Sequence, residues 1–442
     1  MSLRIPPFRI SLILLALIVL SGCDQGRERP PSVSVRVANA APSFSAIAFT
    51  REQSQASEVG YRGAAGAFTY DQDQYDFHFD FLLPGATSAE RRSFSKEVVA
   101  EMLYMFVATE VGGLVEPVIL EYPALANTDT QAQIVALHAG TSLPAMDLYV
   151  EPAGTTVATA IPKASLAFGQ SFAPLLIAPG SYELTLTEPG NSANVLLASA
   201  TLTLTAAAST VFIVVDGADE GIAPLRVMLL QDTVGALIDK NLQSGLRVIN
   251  GATDTGARDV ALNSQFMPPL FPAVPFGTRS AFELVPPGDN TVDVTPAGNP
   301  GVLELTQTIT VAAGAKQTLL FTGDAGTLTH LLVTDDERRI AAEAKVRFLN
   351  LAPQFTQVDF LIVEVGADAT SLSPTSTLAV PGGTPLTGFA PGSYELVLRE
   401  NGTTNLIAGP LPITLAAGGL YSVLATNGAD ATTANIVLFD DF

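Results

Sequence analysis

Ala178-Pro179-Gly180-Ser181-Tyr182-Glu183-Leu184 returns unchanged 212 residues later as Ala390-Pro391-Gly392-Ser393-Tyr394-Glu395-Leu396. Pro presets φ and Gly supplies a positive φ, so each Pro-Gly pair marks a turn. The residues after it alternate. Tyr182, Leu184 and Leu186 point one way and Glu183, Thr185 and Thr187 the other, and Tyr394, Leu396 and Leu398 repeat the pattern. Period two is the strand period, with one face turned to a core and one to solvent.

Working outward, each copy has an opening strand about forty residues upstream, and there are four such openings. They are Val35-Arg36-Val37-Ala38-Asn39, Ile134-Val135-Ala136-Leu137-His138, Leu246-Arg247-Val248-Ile249-Asn250 and Val346-Arg347-Phe348-Leu349-Asn350. From Asn39 to His138, Asn250 and Asn350 the steps are 99, 112 and 100 residues, a domain-sized period. Nine residues after the Asn or His stands Asp147, Asp259 or Asp359, with Ala48 in the first copy. The shared turn degrades to Pro286-Pro287-Gly288-Asp289-Asn290 in copy three and to Asp73-Gln74-Tyr75-Asp76-Phe77 in copy one.

Roughly seven short strands per copy predict an all-β chain of four tandem immunoglobulin-like β-sandwiches. A single Cys leaves no disulfide to form within the chain. The expected domains are residues 33–130, 132–232, 244–337 and 344–442, the first divergent. Residues 89–98 read as the one place for a helix, and alignment to the other copies makes residues 101–107 a strand. Residues 231–245 look like a mildly helical linker and residues 335–343 like a solvated acidic one. Modest interfaces and some bending between domains are expected.

The amino terminus has its own organisation. Arg4 and Arg9 precede an apolar run over residues 10–20, and Leu20-Ser21-Gly22-Cys23 follows. The run is too short for a span of about twenty residues. The ending resembles the lipobox of bacterial lipoproteins. The resemblance implies removal of residues 1–22, lipid on Cys23 as the first mature residue, and a tether over residues 23–32. It also implies a membrane partner through that lipid and a place in the cell envelope, on the periplasmic face of the inner or outer membrane or at the cell surface. Asp24 resembles the inner-membrane retention signal of enteric bacteria.

Taken together, V-R-V-x-N-x-A-P, the later M-D-L-Y or V-D-F, and A-P-G-S-Y-E-L resemble repeats of domain of unknown function 4397. The likeness is good in copies two and four, weaker in copy three and weakest in copy one. It implies β-sandwiches in exported or cell-surface proteins, often in tandem, with no established catalytic residues to carry over.

Composition narrows the function. A net charge of −21 with 22 basic residues is wrong for nucleic acid, which needs a basic stripe. Three His and one Cys leave little for zinc sites or nucleophilic triads, and no cofactor is expected. Asn39, Asn250 and Asn350 at the end of the opening strand suit a turn in which the side chain binds the backbone two residues on. Asp147, Asp259 and Asp359 suit a turn-tying or solvated role, with calcium as the alternative. Tyr182 and Tyr394 start the strand after the shared turn. Asp76, His78 and Asp80 share a strand face and are the weak metal candidates; His330 stands by itself. These features favour a non-catalytic spacer, adhesin-like or binding protein. An enzyme or enzyme subunit acting on envelope glycans and a calcium-rigidified rod are the alternatives. An envelope protein or glycan is the expected partner, and oligomeric state stays open.

Overall fold

The computed structural model describes residues 32–83, 86, 88–217, 223–253 and 256–440. Cys23, residues 1–22 and all of the tether but Ser32 lie outside them. The first unit sets the pattern with eight strands: β1 (Ser32–Asn39), β2 (Ala46–Arg51), β3 (Ser54–Gly60), β4 (Ala64–Asp71), β5 (Asp73–Phe81), β6 (Glu90–Val98), β7 (Met102–Val111) and β8 (Leu114–Pro123). One sheet has the order β4-β1-β7-β8 and the other β3-β2-β5-β6. β1 runs parallel to β7, with Val37 opposite Phe106, and antiparallel to β4. Gly112 and Gly113, both at positive φ, close the β7–β8 hairpin in the primed geometry that fits strand twist.

Three further units repeat this order. Their opening strands are Ala132–His138, Ser244–Ala252 and Ala344–Leu351, each parallel to its β7 equivalent, Ser209–Asp216, Lys316–Gly323 and Leu420–Asn427. Four β-sandwiches result, with no α-helix among the described residues. No helix among them is long and apolar enough to cross a membrane.

Inside each sandwich the period-two faces meet. Phe49, Phe77, Phe79 and Phe106 are fully buried in the first unit, with the Phe77 and Phe106 rings 4.8 Å apart. The second unit uses aliphatic side chains at the β5 places, Leu184 and Leu186 among them, and keeps a ring, Phe212, where Phe106 stands.

Several expectations need correction. Residues 89–98 are not helical; they form β6, where Phe94 packs on Phe77 and Phe106. Tertiary packing of that ring overrides the helix propensity of its Glu and Lys neighbours. Each unit has more strands than the roughly seven expected: among the described residues eight in units one and three, ten in unit two and nine in unit four. Within residues 231–245 the segment Val234–Leu237 extends a sheet as a strand, pairing Leu229 with Gly235.

The interfaces are far from modest. The outer face of the β1 sheet of unit one packs against the same face of unit two, burying Ala38, Ala40, Met105, Val107 and Leu120 against Val135, Leu137, Ala139, Ile213 and Met228. Units three and four repeat the arrangement through Ile249, Leu320, Leu349, Leu351 and Leu424. Each Val, Leu, Ile or Met there contributes about 1.5–3 kcal/mol relative to exposure, so these seams outweigh any surface ion pair at about 0–1 kcal/mol. The β1 sheets are therefore buried on both sides, and the opening strands of units two to four have no half-buried or exposed position.

Equivalent positions meet at the seam. A Cβ on Gly251 would stand 3.0 Å from the Leu351 Cβ, and both residues directly follow the landmark Asn. Ala40 and Ala139, at the same position in units one and two, are also fully buried. Small side chains there let the two sheets approach.

Candidate functional site

The landmark residues hold chain to chain. Asn39 Oδ1 accepts from Ala41 N at 2.9 Å, Asn250 Oδ1 from Ala252 N at 3.0 Å and Asn350 Oδ1 from Ala352 N at 3.0 Å. The same amides donate across the sandwich to the carbonyls of Val59, Val274 and Leu378 at 3.1, 2.9 and 2.9 Å. Each Asn thus shapes the exit of the opening strand and pins it to the opposite sheet. His138, fully buried, donates from Nε2 to the Pro144 carbonyl at 2.9 Å.

The aspartates are ties between strand and turn, Asp147 and Asp359 buried and Asp259 half-buried. Asp147 accepts from Gly190 N at 2.7 Å and from the Ser165 hydroxyl. Asp259 accepts from Ala273 N at 2.7 Å and Gly298 N at 2.8 Å. Asp359 takes Thr377 Oγ1 at 2.7 Å, Asn401 Nδ2 at 2.8 Å and Arg399 Nη2 at 3.0 Å. In every case the carboxylate links the β3-type strand to the turn between the β5- and β6-type strands. Burial alone would raise the Asp359 pKa, but the bonds from Thr377, Asn401 and Arg399 outweigh it and hold the group below the ordinary carboxylate value. In unit one Ala48 pairs with Asp80, whose carboxylate goes instead to Thr50 of β2 and Arg91 of β6.

Tyr182 and Tyr394 donate to the carbonyls of Ala178 and Ala390, four residues upstream, at 2.8 and 3.1 Å. Tyr75 does the same to Asp71 at 3.1 Å, and Asn290 Nδ2 reaches Pro286 at 3.0 Å. This is the device of the tyrosine corner, moved to the β4–β5 turn. The degraded copies therefore keep the bond with a different side chain.

Asp76, His78 and Asp80 share one face of β5 but hold different partners. Asp80 is bidentate to Arg91 at 2.7 and 2.9 Å, His78 Nδ1 lies 2.9 Å from Ser93 Oγ, and Asp76 presents its backbone N–H to Glu52. Arg91 bonding lowers the Asp80 pKa against the effect of burial. No group of three His, Cys, Asp or Glu able to hold a metal occurs among the described residues. His330 is half-buried on the β8-type strand, and burial lowers its pKa.

Chemistry concentrates instead at the seams. Asp335 is fully buried and lies between two arginines, 3.0 Å from Arg247 Nη2 and 2.6 Å from Arg347 Nη1. Thr318 donates to its second oxygen at 2.6 Å, and Ser422 braces Arg347 Nε at 2.8 Å. Asp335 of the acidic linker is thus a buried bolt between units three and four, which corrects the reading of that residue as solvated. A buried pair adds little net stability over apolar side chains, but removing one partner costs about 3–5 kcal/mol. The bolt fixes which faces meet.

The first two units have Arg36 where unit three has Arg247, Val135 where unit four has Arg347, and Tyr122 where Asp335 stands. The seam end that Asp335 and Glu337 fill in the second pair opens here as a groove of about 650 Å³. Arg36 lines it and donates to the Gln231 carbonyl at 2.7 Å. Burial pushes the Tyr122 phenol up to about 12, and Arg36 opposes that shift. Size and position between two domains suit a small-molecule site.

The two pairs meet around Tyr61. Its hydroxyl donates to the Asp216 carbonyl at 2.8 Å, and Arg338 lies 4.7 Å from its ring while donating to the Pro42 and Phe44 carbonyls at 3.0 and 3.2 Å. Arg62 stands beside them at positive φ, and burial followed by repulsion from Arg226 brings its pKa down to about 10.

The seams were not read from sequence, although a signal was present. Val135, Leu137, Ile213 and Val215 alternate with core residues yet are themselves apolar, and a strand apolar on both sides is covered on both sides. The family model of a domain of unknown function, DUF4397, matches residues 244–361, little more than a quarter of the 442-residue chain. The matched segment is a DUF4397-like domain that runs from the opening strand of unit three into the second strand of unit four, Gln357–Glu364. It carries Arg247, Asp335 and Arg347 together. Unit three keeps L-R-V-I-N and Asp259 while losing the shared turn, so the match lies where the likeness looked weaker. No curated protein matches the chain.

Proposed function

We propose that the chain is a lipid-anchored protein of the bacterial cell envelope, built of four tandem DUF4397-like sandwiches and acting without catalysis as a spacer or adhesin-like binding module. The observation that carries this reading is the employment of the landmark side chains. Asn39, Asn250, Asn350, Asp147, Asp259, Asp359, Tyr182 and Tyr394 all spend their polar atoms on tying strands to turns or to strands of the opposite sheet. A repeat whose marked residues are structural is a scaffold.

The anchor rests on Arg4, Arg9, the apolar run over residues 10–20 and Leu20-Ser21-Gly22-Cys23. Burying acyl chains contributes about 0.8 kcal/mol per CH₂, so more than one chain makes attachment effectively permanent. Nine residues separate Cys23 from Ser32 when Cys23 is counted, which keeps unit one within about 30 Å of the bilayer. Metabolic labelling with an alkyne fatty acid tests the reading. The wild-type chain takes up label and fractionates with membranes, while Cys23→Ala takes up no label and is left either soluble or unprocessed. Label and normal processing in Cys23→Ala would contradict it.

A further inference from the structure

The groove between units one and two has an internal counterpart whose filling indicates what belongs there. At the same place between units three and four, a carboxylate lies against Arg247 and Arg347, bonded by Thr318. The arginine survives in the first pair as Arg36, half-buried, with one guanidinium nitrogen on the Gln231 carbonyl. The linker carboxylate does not survive: Tyr122 occupies its position, and the space beside it is open.

Around Arg36 the lining is mixed. Ser34, Ser209 and Thr233 bring hydroxyls, Asp232 brings an exposed carboxylate, and Leu103 brings an apolar surface. One cation beside one anion does not suit a polyanion. Hydroxyls interleaved with a small apolar surface suit a sugar ring, which presents hydroxyls at its edge and C–H groups on its face. A guanidinium recognises a planar carboxylate through parallel N–H donors.

We propose that this groove binds a short saccharide bearing one carboxylate, with that carboxylate on Arg36 in the role Asp335 plays for Arg247. The choice of an envelope saccharide rests on the envelope reading above; the groove and its arginine do not. Labelling at Cys23 and ligand binding are separate measurements, so either can fail while the other holds.

The test is calorimetric titration of the full chain in detergent with N-acetylmuramic acid and with N-acetylglucosamine, sugars that differ by a carboxylate-bearing group. The acid binds saturably and at least about ten-fold more tightly, the value expected of one charge-assisted bond. Arg36→Gln removes that difference. Thr233→Trp fills the groove from an exposed side chain whose backbone carbonyl still accepts from Gln231 N, and it abolishes binding of both sugars. This second variant reads the site even if Arg36→Gln fails to fold. Equal affinity for the two sugars, no saturable binding of either, or unchanged binding in Thr233→Trp would overturn the proposal.

Discussion

Asn350 performs two tasks with one amide, accepting from Ala352 N and donating to the Leu378 carbonyl. Asn350→Ala leaves both backbone groups without that partner and costs about 1–3 kcal/mol, read as a lower denaturation midpoint for the fourth unit. Asp359 gives a pH dependence. Its folded pKa lies below the ordinary value of 3.8, so folding favours the ionised form. That stabilisation is present above the ordinary value and is lost as pH falls through the folded one. Wild-type stability of this unit therefore falls on acidification below about pH 4, whereas Asp359→Asn is less stable at neutral pH and flatter over the acid range. Equal slopes in urea midpoint against pH would refute the assignment. The acceptor half of the Asn bond was legible from residue type and position. Its donor half was not, because the partner lies on a strand of the opposite sheet whose register only folding sets.

Elements carry the next level. Strand identity was legible wherever one face was polar, as in Tyr182 to Thr187, because alternation reports a half-buried strand. It failed at β6, whose Phe94 is drawn into an aromatic core that local propensity does not describe. It was incomplete for the opening strands, where two covered faces erase the alternation. Gly251 shows what that second covering demands. Gly251→Leu drives a side chain into Leu351 and destabilises by about 1–3 kcal/mol through overpacking, with the loss appearing in units three and four together. A substitution that only weakened its own strand would lower unit three by itself in a domain-resolved unfolding experiment.

At the scale of the molecule, four sandwiches make two pairs, and the pairs touch through Tyr61, Arg338 and the Ser45–Glu343 hydrogen bond of 2.8 Å. Replacing Ser45 and Glu343 by Cys is expected to let a short bis-maleimide reagent join the first unit to the linker of the second pair, seen as a faster-migrating band. No shift would mean that the pairs separate in solution. The number of units was legible in the sequence because the landmarks keep register. The pairing was not, since Asp335 acts on Arg247 and Arg347 from a linker that looks solvated by composition.

The most direct test of pairing is hydrogen exchange on the full chain carrying Asp335→Asn, a change that leaves two buried arginines without their shared carboxylate. Back-to-back pairing predicts faster exchange together in the opening strands Ser244–Ala252 and Ala344–Leu351, with β1 and Ala132–His138 unchanged. Faster exchange confined to unit three, or spread evenly over all four units, would contradict it.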